Sequence, residues 1–291
     1  MITVLTPTYN RGYIISELYQ SLKRQTMKNF EWIIVDDGST DNTEQLVSDW
    51  MIEKNAFDIY YIKQQNGGKH RAWNTGVKYA SGKYIFVVDS DDYLSDDAIE
   101  KANVWIKDID ENEKYAGVGG LKVRKDGNEN WLFLKNIQNG CIDATQIECR
   151  KLGLPIDKAE IVRTDLMKKY PLPVFENEKF ISEGAFWQRL IKEGYTFRWH
   201  MDAIYFYEYL NDGLTKSNEE NIKNNWKGYT YVTKLSIQNE NIITKIGILL
   251  KYIKLAKEKK LSSKEIANGL ECKILWVRFL KIASDVYFRN R

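Results

Sequence analysis

Apolar residues fall into two alternating rhythms over the first hundred positions. Short runs at 2–5, 32–35, 59–62 and 84–88 are rich in β-branched and aromatic residues and too short for helices, which predicts buried strands. Between them the spacing widens to that of a helix face. Ile14, Leu18 and Leu22 recur every four residues, ending at Gln25-Thr26. Leu46, Val47, Trp50 and Met51 form a second inward face, 71–80 is a small-residue helix ending at Ser81-Gly82, and Ile99, Ala102 and Ile106 mark a fourth helix. Asp41 and Glu44 stand at capping-box spacing before the second helix. Ser95, followed by Asp96 and Asp97, is the expected cap of the fourth.

Strand and helix alternating at this spacing predict a doubly wound α/β sheet with helices on both faces. Such sheets bind ligands at the carboxyl ends of their strands. The polar clusters of this chain lie at those ends, at 6–11, 36–39, 65–71 and 89–92. Four loops converging on one edge point to a site there more strongly than any single loop does.

Residues 115–217 are less regular. A strand is expected over 115–123 with an irregularity at Gly119-Gly120, then a short strand at 161–163, a capped amphipathic helix over 182–193, and a strand-like aromatic segment over 196–209. From Glu219 the pattern is helical, over about 220–238, 242–259 and 263–287. The expected organisation is a main domain at 1–218 and a helical C-terminal segment at 219–291.

Composition narrows the class. Of the 291 residues 43% are hydrophobic, enough for a full core, which argues against disorder. No apolar stretch approaches the ~18 residues of a spanning helix, and the N-terminal run is too short for a signal peptide and reads as a strand. Cys141, Cys149 and Cys272 make no disulfide framework, so a reducing cytoplasm is the expected compartment. With two histidines, His70 and His200, any metal site has to use carboxylates. The net charge of +3 hides an asymmetry: residues 219–291 carry 15 Lys and Arg against 7 Asp and Glu, leaving 28 against 33 for residues 1–218. In 242–259, Ile246, Leu249, Leu250 and Ile253 lie on one side, with Lys245, Lys251, Lys254 and Lys257 around the rest. That pattern suits an interfacial membrane helix and equally a helix packed on a domain.

Clustered acids at a strand end, Asp89-Ser90-Asp91 with Asp92 beside them, repel one another unless a cation sits between them. Mg²⁺ or Mn²⁺ bridging to substrate phosphates is one answer, and an acidic helix start is another. The cap at 95–97 already serves the helix, which leaves Asp89 and Asp91 to be explained. Asp36 and Asp37 end a buried strand, where a carboxylate can bind a base or ribose or cap the next helix. Neither GxGxxG nor GxxxxGK[ST] occurs, which argues against a nicotinamide or flavin site and an ATPase-type phosphate loop. Gly67-Gly68 followed by Lys69, His70 and Arg71 lets backbone approach a phosphate with positive charge at hand, although a plain strand–helix loop would also use the glycines.

Together, TPTYNR (6–11), Gln25-Thr26, FEWIIVDDGSTDNT (30–43), NGGKHRAWNTGV (66–77) and SGKYIFVVDSDD (81–92) closely resemble the family 2 glycosyltransferases over about the first 110 residues, in order and spacing. The resemblance implies the A-type glycosyltransferase fold, a doubly wound mixed sheet here followed by a helical extension. It implies a UDP-sugar donor, an inverting transfer to a saccharide hydroxyl, and Mn²⁺ or Mg²⁺. Thr6, Pro7, Tyr9 and Arg11 are then expected around the base and phosphates, Asp37 at the uracil edge, and Lys69 near the nucleotide. Asp89 and Ser90 would meet the ribose or sugar. Asp91 would reach the metal, with Asp89 and Asp92 as further candidate ligands. The family's base is an acid at a helix start well after the DxD motif. Glu183 fits, as a first-turn residue after the Ser182 cap, although Gly184 replaces the second acid of the usual pair; Glu178 and Glu176 are fallbacks.

Further expectations follow from the same resemblance. The acceptor is expected to be a lipid-linked saccharide on polyprenyl diphosphate, in capsule or O-antigen synthesis. The basic C-terminal helices would then hold the enzyme on the anionic inner face of the plasma membrane. Trp187, Trp199 and the aromatics of 205–209 are candidates for stacking on sugars, with core packing the simpler use. The loop at 212–215 is a candidate to close over the diphosphate. A sugar nucleotidyltransferase would need more glycine than the single Gly12 offers in its first loop. A non-catalytic nucleotide-sugar-binding protein would not need Asp91 and Glu183. Nucleic acid is not an expected partner of an acidic main domain.

Overall fold

The structure, a computed structural model, describes residues 1–109, 112–125, 140–155, 157–208 and 218–289, which form nine strands and twelve helices. The chain divides into two compact units, Met1–Leu172 with Glu193–Leu210, and Pro173–Lys192 with Asn211–Arg291. Residues 173–192, which the charge pattern leaves within the main domain, cluster with the C-terminal helices.

The first unit is built on one mixed sheet. Strands β1 (Ile2–Thr8) and β2 (Phe30–Asp36) are buried at all seven positions, as central strands covered on both faces are, and β3 (Asp58–Lys63) is the half-exposed edge. With β4 (Tyr84–Val87) they form a parallel set in the order β3-β2-β1-β4. The sheet then changes sense. β8 (Lys158–Arg163) runs antiparallel to β4 and to β6 (Tyr115–Arg124), β9 (Thr196–Tyr207) lies parallel to β6, and β5 (Tyr93–Leu94) and β7 (Cys141–Ala144) pair antiparallel to β9. The Gly119-Gly120 irregularity is real: the β6–β9 register shifts between Gly119 and Leu121. At Gly117 a Cβ would stand 2.0 Å from the Ile161 carbonyl oxygen, so no side chain fits between these strands.

Helices α1 (Ile15–Arg24), α2 (Thr43–Ile52), α3 (Lys69–Tyr79) and α4 (Ala98–Lys107) follow the four parallel strands and begin at their carboxyl ends; α5 (Gln146–Lys151) and α6 (Thr164–Lys169) are short connectors. Leu18, Leu22, Val47, Trp50, Ile99 and Ala102 are buried in the core as their spacing implies. Met51 is the exception: α2 turns it outward, leaving it 47% exposed. The caps also differ from expectation. Ser95 does not cap α4; its hydroxyl donates to Asp97, and the helix's Ile99 N–H donates instead to the Gln25 side chain, whose amide donates to the Ser95 carbonyl. Glu44 pairs with Lys63 rather than closing a capping box, while Asp41 accepts from the Thr43 amide and hydroxyl.

At the amino edge of the sheet, buried Glu31 accepts from Thr3 and from the Ser81 amide and hydroxyl. Burial raises its pKa, but these bonds more than offset that and hold it below the ordinary carboxylate value. Its work is to join β1, β2 and the turn before β4, so the other edge is where chemistry is free to act.

The second unit is helical: α7 (Gly184–Lys192), α8 (Asn218–Asn224), α9 (Trp226–Asn239), α10 (Ile242–Glu258), α11 (Ser263–Leu270) and α12 (Ile274–Arg289). Two helices expected as continuous are interrupted, one at Asn225 and one at Glu271, which adopts a left-handed conformation (φ 53°). Its core gathers Tyr252, Ile253, Ala256, Ile266, Leu270 and Val277. Of the apolar side of α10, Leu250 and Ile253 are buried and Leu249 packs against this core, whereas Ile246 is 47% exposed. No helix among the described residues is long and apolar enough to cross a membrane.

Candidate active site at the carboxyl edge of the sheet

Two loops of the first unit are tied together by Asp37. It sits one residue beyond β2 and is buried; Gly67 N donates to its Oδ1 at 3.0 Å, Gly68 N to its Oδ2 at 2.6 Å, and the side chains of Gln64 and Asn66 donate at 2.7 and 3.2 Å. These donors occupy both oxygens, so Asp37 in this structure holds the glycine loop rather than presenting a carboxylate outward. Gly68, at φ 98°, takes a conformation that favours glycine and delivers the chain into α3. Asp36, the first acid of the pair, accepts from the Ser39 amide at 2.7 Å and from the Tyr61 hydroxyl, so it too is structural.

The loop after β1 contributes differently at each position. Thr6 and Pro7 are buried in the strand; the Thr6 hydroxyl accepts from the Trp32 indole at 3.0 Å, which turns it to the core and not to the edge. Tyr9 is 47% exposed. Asn10 adopts φ 51°, and its side chain and amide bind the Thr40 amide and Ser39 hydroxyl, joining the first and second loops. Arg11 bonds Tyr13 at 2.9 Å and lies 3.9 Å from Asp91.

The acids after β4 meet three cations. Lys69, the first residue of α3, is 2.6 Å from Asp89. Lys122, on β6, is 2.9 Å from Asp92 and 3.9 Å from the second oxygen of Asp89. Beneath them Tyr205, wholly buried on β9, donates its hydroxyl to Asp92 at 2.7 Å and accepts the Asp89 amide at 2.9 Å. The Lys122 ammonium lies 4.2 Å from the centre of the Tyr205 ring. Ser90 is buried. The electrostatics divide the acids. Burial pushes Asp89 up, but Lys69 and Lys122 bring it down to about 2, so it is ionised. Burial, and then the charge of Asp89, raise Asp91 above its ordinary value, with Arg11 as a partial counterweight. Burial raises Asp92 as well, while Lys122 opposes it.

Among the described residues, no group of three or more His, Cys, Asp or Glu is arranged to hold a metal by itself. Asp91 nevertheless fits a divalent ion as a lone protein ligand. It is a partly exposed carboxylate, raised by burial and then by the neighbouring anion Asp89, and the Arg11 guanidinium stands 3.9 Å away, at the far limit of an ion pair. An ion held this way would take the rest of its shell from substrate phosphates and water, as Mg²⁺ commonly does.

Lys122 is absent from the sequence expectations, and Tyr205 stands there only as a candidate for stacking on sugars. The available signal was a lysine inside an otherwise buried strand, VGGLKV, which a strand tolerates where an acid waits for it. His70 is buried in the first turn of α3; burial, then Arg71, depress its pKa to about 4, and its Nδ1 has no hydrogen-bond partner, so it is a neutral packed residue. His200 stacks on Trp105 at 4.2 Å. Trp199 is buried in the core with its indole on the Ala144 carbonyl, and Tyr205 serves the acids, so neither offers a face for a sugar; Trp187 stays half-buried beside Phe186. Residue 209 and the loop at 212–215 lie outside the described residues. A shallow cavity of about 330 Å³ between α1 and Tyr93, lined by Glu17, Arg24 and Lys125, contains none of the expected site residues.

The candidate bases belong to the second unit. Glu183 precedes α7 instead of standing in its first turn: the helix begins at Gly184, and the Glu183 carbonyl accepts the Trp187 amide at 3.2 Å. Its side chain is half-buried. Glu178 is buried with both oxygens engaged, accepting the Lys227 amide at 2.7 Å and the Gly228 amide at 2.8 Å, and so caps α9. Glu176 is exposed.

Comparison with known proteins places these features in a family. The profile described as glycosyl transferase family 2 matches residues 3–170. The glycosyltransferase GlyG of Streptococcus pneumoniae is 30% identical over 148 residues, 51% of this chain and 48% of that protein. The teichuronic acid biosynthesis glycosyltransferase TuaG of Bacillus subtilis, named as putative, is 24% identical over 239 residues, 81% of this chain and 89% of its own length. The chain spans about half or less of the length of the first curated relatives it matches. Among solved structures, residues 1–349 of Staphylococcus aureus TarS in complex with UDP-GlcNAc superpose with a TM-score of 0.64 at 18% identity, over 100% of this chain and 92% of that one. A Pyrobaculum calidifontis mannosyltransferase in complex with GDP-Man and Mn²⁺ gives 0.56 at 15%, over 97% and 73%. At these identities the structural likeness speaks for the fold, the mixed sheet with helices described above.

Proposed function

The chain belongs to glycosyl transferase family 2, and on that premise we propose that it moves a sugar from a UDP-sugar to a hydroxyl of a saccharide acceptor with inversion. The observation that carries this reading is the alternation of Asp89, Asp91 and Asp92 with Arg11, Lys69 and Lys122 at the carboxyl edge of the sheet. Three acids and three cations in one place suit a ligand that carries a diphosphate and hydroxyls together. Arg11 and Lys69 have the charge to hold the diphosphate. Asp89, kept ionised, has the acceptor oxygens to orient a ribose or sugar hydroxyl. Asp37 serves the donor through the 66–68 loop that it clamps, leaving the base to the loop's own polar groups. Mg²⁺ or Mn²⁺ at Asp91, when bound, would offset the charge of the departing diphosphate.

Glu183 is the proposed general base. It stands at the start of a helix, and its carboxylate can take the acceptor's hydroxyl proton as that oxygen attacks the anomeric carbon. One displacement inverts the configuration and needs no covalent enzyme intermediate, unlike the retaining two-carboxylate route. In this reading the acceptor is a saccharide on polyprenyl diphosphate, used in surface polysaccharide synthesis at the cytoplasmic face of an anionic membrane, where the basic C-terminal helices have a purpose.

Calorimetric titration of UDP with and without Mn²⁺, on the parent chain and on Asp91→Ala, tests the proposal. Metal-dependent UDP binding lost in the variant supports it. A folded chain that binds no nucleotide overturns it. A panel of UDP-sugars with Glu183→Gln then separates donor binding from transfer.

A further inference from the structure

Helix α12 is apolar on two opposite sides. Val277, Leu280 and Ser284 face the core of the second unit, with Val277 fully buried and the Ser284 hydroxyl on the Leu250 carbonyl. At one hundred degrees per residue the opposite side carries Leu275, Phe279, Ile282 and Val286, a straight stripe, with Trp276 at its margin. These five are 69%, 61%, 67%, 58% and 61% exposed in that order. Packing within the unit does not account for them: it is complete on the other side. A helix with one face in a core and an apolar stripe facing out is built to bury that stripe in something else.

The surrounding charge says what. Residues 242–288 contain ten Lys and Arg and four Asp and Glu. All four acids are taken up inside the unit. Glu258 pairs with Lys223, Glu271 with Lys234, Asp285 with Lys257, and Glu265 closes a capping box with Ser262. Lys251, Lys264, Lys273 and Arg278 remain exposed. A second copy meeting this face through a two-fold axis would set like charge against like. An anionic lipid surface meets both demands: acyl chains for the stripe and headgroups for the cations. Trp276 at the margin suits the boundary between them. With no crossing helix among the described residues, the helix would lie in the plane of the membrane.

We propose that the outward stripe of α12, and not the lysine-rich side of α10, is the surface by which this chain docks on anionic membranes, with the aromatic and aliphatic side chains inserted and the flanking Lys and Arg on the headgroups. The proposal rests on the membrane part of the functional reading above and is independent of the donor.

Co-sedimentation of the full chain with phosphatidylcholine vesicles, with and without phosphatidylglycerol, tests it. Binding is expected to phosphatidylglycerol vesicles, to weaken as salt rises, and to fall about tenfold or more in Phe279→Glu/Ile282→Glu. Both positions are exposed, so circular dichroism and UDP titration of the variant are expected to match the parent. UDP binding also keeps failure of docking distinct from failure of the nucleotide site. Ile242→Glu/Ile246→Glu on α10 should leave vesicle binding within twofold. The proposal is overturned by absence of vesicle binding, by binding that the α12 variant retains, or by a dimer in solution that the α12 variant dissolves.

Discussion

Lys122 and Asp92 form an ion pair of 2.9 Å in which both side chains are largely withdrawn from water, and the same ammonium reaches toward Asp89. Their separation in sequence puts the pair across the sheet, β6 answering the turn after β4. Removal of the lysine leaves the buried Asp92 carboxylate, and the half-buried Asp89 beside it, with less compensation. Lys122→Met is expected to cost about 3 kcal/mol of stability, the scale for breaking a buried pair, and to weaken UDP binding. Urea unfolding and calorimetry on the variant measure the two effects separately.

Asp37 makes a different prediction. Asp37→Ala leaves the Gly67 and Gly68 amides without their acceptor, costing about 2 kcal/mol and loosening the loop. Hydrogen exchange at those two amides should accelerate. If they stay as protected as in the parent, the carboxylate is not what orders the loop.

His70 sets a pH dependence. Its folded pKa is about 4, against about 6.5 for a free imidazole, so below the free value the unfolded chain takes up a proton that the folded chain refuses. The stability it contributes is complete above pH 6.5 and is lost progressively down to pH 4, about 3 kcal/mol over that window. His70→Gln should lack this component. The difference between the two proteins, followed by urea unfolding at several pH values, isolates the imidazole from the carboxylates that titrate nearby.

Two of the three candidate bases separate cleanly. Glu183→Gln is expected to lower kcat by about 10³-fold with UDP binding intact, whereas Glu178→Ala is expected to cost about 1–2 kcal/mol of stability by uncapping α9. Single-turnover transfer and thermal unfolding on both variants distinguish the assignments. A folded Glu183→Gln with full turnover removes it as the base.

The parallel half of the sheet was readable because its inner strands are buried, so that 32–35 and 84–88 are unbroken apolar runs between turn residues. Helix faces at Leu18 and Val47 followed from period alone. Caps were harder: Gln25 reaches α4 from a helix end more than seventy residues upstream, and no local pattern announces such a bond. Met51 was misplaced because the core takes a narrower stripe of α2 than its apolar residues offer. At the site, the acids were legible as an excess of like charge. Two of their partners were not, since Lys122 and Tyr205 arrive from β6 and β9, which the topology brings back into the same sheet beyond β8. Breaks in the last helices depend on single residues, Asn225 and Glu271, neither of them a glycine or proline.

The sheet's change of direction carries a consequence for how the chain is made. Tyr205 enters 116 positions after Asp89 and 113 after Asp92, so while the ribosome is still delivering the middle of the sequence, β1 to β4 can already pair but the acids have nothing beneath them. The loops that read as a binding site are therefore ready before the pair of aspartates is fixed in place. A nascent chain released anywhere before β9 would have the motif text complete and the tyrosine that joins the acids missing, which makes synthesis through β9 the step that completes the cluster.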